Sequence, residues 1–80
     1  MRIIESARKH GVLDDDIKYV YETATKTIIL RDNPTKIMIF GFDRVGRCLE
    51  VGYIIDDEGE DVVIHAMKIR RSYIKYMNEQ

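Results

Sequence analysis

The residues best suited to chemistry lie near the end of the chain, in the stretch VVIHAMKIRRSYIKYM from Val62 to Met77. His65 sits in an expected strand, alternating with Val63 and Met67 on one side while Val62, Ile64 and Ala66 take the other. An imidazole titrates near neutral pH and can take or give a proton. Lys68, Arg70 and Arg71 follow where the strand should give way to a helix. Cations at such a junction can hold a phosphate and stabilise the charge that grows on it during transfer. Tyr73 and Tyr76 add flat rings of the kind on which an unpaired base stacks. Each has a plainer reading beside this one: a packed strand histidine, tyrosines on an apolar stripe, and arginines as solvated surface charge.

A second group of cations lies elsewhere. Arg44 lies within the turn DRVG (Asp43 to Gly46) and Arg47 follows it, sharing a strand face with Leu49 and Val51. Lys9 and His10 end an expected first helix, where positive charge complements the helix dipole. No glycine-rich phosphate loop follows a strand, and two histidines with one cysteine do not make zinc-ligand spacing. No metal or other cofactor is therefore expected. Cys48, on an alternating strand, reads as a small core residue rather than a nucleophile.

The elements that must position these residues follow from periodicity. Arg2 to His10 reads as a short helix with Ile3, Ile4 and Ala7 on one side, closed by Gly11 in a left-handed cap with Val12 folding back. Asp14 reads as an N-cap with Asp15 and Asp16 in the first turn, and Ile17, Val20, Tyr21 and Ala24 give a second helix over residues 14–24. Four strands follow: KTIILRD, KIMIFGF, RCLEVGYIID and EDVVIHAMK. The turns between them are Asn33-Pro34, DRVG and DDEG. The tail returns to a helical period, with Ile69, Tyr73, Tyr76 and Met77 on one side. The expected fold is α+β, with two N-terminal helices, a four-stranded antiparallel meander and a C-terminal helix, in a single domain spanning 1–80.

Composition bounds the partners. Net charge is −1 with 45% hydrophobic residues, so no whole-molecule field draws the chain to a polyanion. Acid gathers in Asp14 to Asp16 and Asp56 to Asp61, and base in the segments just named. No run reaches the roughly 18 apolar residues of a membrane span. The start lacks the apolar core of a secretory signal, and a single cysteine fits a reducing compartment, so a cytoplasmic location without a membrane partner is expected.

Three stretches together resemble small RelE-like ribonuclease toxins, and among them the BrnT family: ARKHGV ahead of an acidic helix, IFGFDRVGRCLEVGY, and VVIHAMKIRRSYIKYM. The resemblance touches most of the chain. It implies the toxin of a type II toxin–antitoxin pair that cleaves RNA without a metal and is neutralised by a cognate DNA-binding antitoxin. It places Lys9 and His10 in the helix motif, Arg47 in the turn motif, and His65 to Arg71 in the terminal motif. The catalytic residues are then His65, Arg47 and Arg71, and the substrate-binding residues Lys68, Arg70, Lys9, His10 and Tyr73. The competing expectation is a non-catalytic interaction module whose basic strand–helix junction docks an acidic partner or a second copy of the chain.

Overall fold

The computed structural model describes residues 1–78. Strand β1 (Arg2–Ile3) leads into a 3-10 turn at Glu5–Arg8 and then helix α1 (Asp14–Thr23). Strands β2 (Lys26–Asp32), β3 (Thr35–Phe42), β4 (Cys48–Ile55) and β5 (Asp61–Lys68) form consecutive hairpins. A 3-10 turn at Arg71–Tyr73 and the one-turn helix α2 (Ile74–Met77) close the described chain.

The two-helix start and the four-stranded antiparallel sheet are both corrected. The sheet is mixed and has five strands in the order β1-β5-β4-β3-β2, because Arg2 and Ile3 pair in parallel with Val62 and Val63. The amide of Ile4 then donates to the Val63 carbonyl at 3.1 Å. Two β-branched residues gain little from a short helix, whereas the outer edge of β5 offers a ladder and a place to bury Ile3. What remains of the expected helix is the four-residue 3-10 turn, which drops Ala7 into the core at zero exposure. Gly11 does take the left-handed conformation, and Val12 folds back into the core.

The later hairpins follow their turn chemistry. In both, an aspartate opens the turn and glycine closes it at positive φ, Gly46 at 87° and Gly59 at 81°. Asp43 accepts from the amides of Val45 and Arg47, and Asp56 from those of Glu58 and Glu60.

Strand pairing fixes two faces. One carries Ile39, Leu49, Val51, Val63 and Ala66 against Ile17 and Val20 of α1, and this is the main core. Register with Leu49 puts position 41 on this face, and a glycine suits it because the end of α1 passes close: an added Cβ would stand 3.2 Å from Ala24 Cα and 3.3 Å from Val20 Cγ1. The other face carries Met38, Phe40, Glu50, Gly52, Val62, His65 and Met67, partly covered by the C-terminal segment.

A bulge in β5 decides which face His65 occupies. Gly52 pairs with His65 but Tyr53 pairs with Val63, so Ile64 is the extra residue. Val63 and Ala66 therefore share the core face, and His65 turns away from both. Simple alternation, which groups His65 with Val63, fails at this one residue.

Gly41→Ala is expected to cost about 1–3 kcal/mol through overpacking against the α1 terminus. Urea unfolding should show a lower midpoint with an unchanged m-value.

Candidate active site

β4 is a central strand flanked by β3 and β5, and Glu50 at its middle has no solvent exposure. A carboxylate there must be paired, since an isolated buried charge is costly. Arg70 supplies most of the pairing. Its backbone amide donates to Oε1 at 2.8 Å, Nη2 to Oε2 at 2.7 Å, and Nε to the two oxygens at 3.2 and 3.0 Å. The fork geometry is one that only a guanidinium provides.

His65 completes the shell, with Nε2 2.8 Å from Glu50 Oε2. The two residues lie diagonally across the β4–β5 ladder, with Gly52 directly opposite His65, so no intervening side chain separates them. Burial alone would push the Glu50 carboxyl upward. The hydrogen bonds from Arg70 and His65, together with the Arg70 charge, outweigh it and hold the group below its ordinary range.

The chain that leaves β1 passes the β5 edge and brings His10 to the same place. The His10 and His65 rings meet edge to face with centroids 5.9 Å apart. His10 is exposed, while the His65 side chain is 24% exposed. Arg70 lies over the Tyr73 ring at 5.1 Å. Tyr73 and Tyr76 both pack on Phe40, Tyr76 nearly parallel to it at 5.7 Å, so these rings form part of the cover on the second face.

Of the residues singled out in the sequence, His65 and Arg70 thus bind one carboxylate, and His10 and Tyr73 pack against these two in turn. The others stand apart from it. Arg47 is drawn to the helix side of the sheet, with Nε 2.6 Å from Asp43 and Nη2 3.6 Å from Asp16 of α1. Lys68 pairs with Leu49 and so belongs by register to the helix face, at the exposed end of β5. Lys9 and Arg71 are exposed. Asp43 is held below the ordinary carboxylate range: burial opposes this, but the hydrogen bonds from Arg47 and Val45 prevail.

Glu50 is the residue that sequence reasoning missed. Its signal was present: a single acid between Leu49 and Val51 in the middle of a strand flanked by hairpins on both sides. Elsewhere the chemistry is quieter. The Cys48 thiol is pushed up by burial, which suppresses its thiolate. No cluster of metal-ligating side chains occurs among the described residues. On the helix face Tyr21 donates a hydrogen bond to Asp61, which with burial pushes its hydroxyl up to about 12. No protein-family model, curated protein or solved structure matches the chain.

The Glu50 pairing has a signature in acid. Its folded-state pKa lies below the unfolded value of about 4.3. Unfolding therefore takes up a proton in the acid range, and the stabilisation, complete above that value, is lost as pH falls through the folded pKa. Thermal unfolding between pH 7 and pH 3 should show Glu50→Gln well below the wild type at neutral pH. The gap should narrow steadily toward pH 3.

Proposed function

We propose that this chain is a metal-independent endoribonuclease, the toxin of a type II toxin–antitoxin pair, with His10 and His65 as its proton-transfer groups. The observation that carries the reading is the meeting of two imidazoles, 5.9 Å between centroids, beside an arginine anchored on the same buried carboxylate as one of them. Phosphodiester transfer needs little more. The ribose 2′-hydroxyl loses a proton to one imidazole as its oxygen attacks phosphorus. The P–O5′ bond breaks, the other imidazole protonates the departing oxygen, and a 2′,3′-cyclic phosphate and a 5′-hydroxyl remain.

Arg70, half-exposed and fixed in place, offers its outer guanidinium edge to the pentavalent phosphorane. Arg71 and Lys9 are exposed cations positioned by sequence next to Arg70 and His10, suited to hold the flanking phosphates. The resemblance to BrnT toxins supports the same chemistry. It implies a cytoplasmic protein with a DNA-binding antitoxin as partner. Among the described residues no helix is long and apolar enough to cross a membrane.

A second reading, a non-catalytic interaction module, is favoured by a different observation. The inward donors of Arg70 are committed to Glu50, and Tyr73 and Tyr76 are committed to Phe40. On that reading the cluster only staples the C-terminal segment to the sheet.

The two separate in a cleavage assay on end-labelled RNA with EDTA present. The ribonuclease reading expects cyclic-phosphate ends, no cleavage where the 2′-hydroxyl is replaced by hydrogen, and a loss of about 10²–10⁴ in rate for His65→Ala or His10→Ala. Unchanged cleavage in both variants, or none by the wild type, would leave the interaction module.

A further inference from the structure

We infer that Glu50 is a positioning residue that fixes which nitrogen of His65 carries the proton, making His65 the base and His10 the acid of the transfer. The inference rests on the ribonuclease reading for its roles, though not for its tautomer. Glu50 is buried and ionised, and an ionised carboxylate only accepts hydrogen bonds. The 2.8 Å contact with His65 Nε2 therefore requires a hydrogen on Nε2. In the neutral ring the lone pair is then left on Nδ1.

That nitrogen is open. No buried polar side-chain atom among the described residues lacks a partner, and Nδ1 of His65 has none, so it reaches solvent. When Nδ1 takes a proton, the imidazolium forms against a carboxylate already in place, so the charge it gains is stabilised without rearrangement. His10 has no such carboxylate among the described residues. It meets His65 only ring to ring, and the groups gathered around His65 are Glu50 of β4, Arg70 beyond β5 and His10 itself. Its exposed ring is free to meet the leaving oxygen from the solvent side, the place of the acid.

Two measurements test this separately from the function. Long-range proton–nitrogen correlation spectra of the ¹⁵N-labelled wild type, above the histidine titration range, should show His65 with a pyrrole-type Nε2 and a pyridine-type Nδ1. In Glu50→Gln the preference should fall to a mixture while His10 is unmoved. A wild-type His65 bearing its proton on Nδ1 would overturn the inference even if the protein cleaves RNA, and this reading needs no variant to fold.

The roles are then read with a nucleoside 3′-(4-nitrophenyl phosphate), whose leaving group needs no acid. His10→Ala should lose at least 100-fold on RNA but under 10-fold on this probe, while His65→Ala loses at least 100-fold on both. Glu50→Gln should lower kcat about 10- to 1,000-fold on both with KM nearly constant. The opposite pattern for the two histidines would reverse the assignment. Wild-type inactivity on RNA and probe would remove the ribonuclease reading and leave the tautomer result standing.

Discussion

A carboxylate at the centre of a sheet, without contact with water, must be answered wherever the chain goes next. Glu50 sets that demand, and residues 65 to 76 are arranged to meet it. β5 has to bring His65 onto the second face, and the chain leaving β5 has to turn so that Arg70 presents both its amide and its guanidinium. With Arg70 so placed, Tyr73 falls beneath its cation and, together with Tyr76, closes over Phe40. The C-terminal segment has only a 3-10 turn and one turn of helix, too little for intrinsic helical stability. It is held by this electrostatic anchor and three aromatic rings.

The bulge at Ile64 is the second half of the same solution. Without it, strict alternation would either place His65 with Val63 on the core face and turn Ala66 out, or keep His65 beside Glu50 and take Val63 off the core. One extra residue lets Val63 and Ala66 serve the core under α1 while His65 serves Glu50. The irregularity thus resolves a conflict between a hydrophobic requirement on one face and a polar one on the other.

This is also why the chain was only partly legible. The four hairpin strands lie almost where alternation puts them, and the Asp-x-x-Gly turns announced themselves, since their signals are local. The parallel pairing of Arg2 and Ile3 with β5 is not local: partners 60 positions apart decide it, and a nine-residue window with helical spacing cannot see them. His10, His65, Arg70 and Tyr73 were visible as chemical types, but their common centre was not. Glu50 looked like one more polar residue on an alternating strand, because its burial comes from neighbours on both sides and a cover that arrives 20 residues later. Arg47 illustrates the converse. It was legible as a cation, but Asp43 and Asp16 draw it to the helix side.

The charge pattern bears on why a buried ion cluster is present at all. A paired charge inside a protein is weak evidence for stability, since apolar residues of similar volume often serve as well or better. A leucine or methionine at position 50 would fill the space against Phe40 and Met67 and remove the need for Arg70. On the tautomer proposed above, what neither would do is hold a hydrogen on one nitrogen of His65, leave the other open to solvent, and stabilise an imidazolium formed there. Those three services are of no use to a packing residue. They are what the base role proposed for His65 requires, and on that proposal the arrangement around Glu50 serves chemistry as well as architecture.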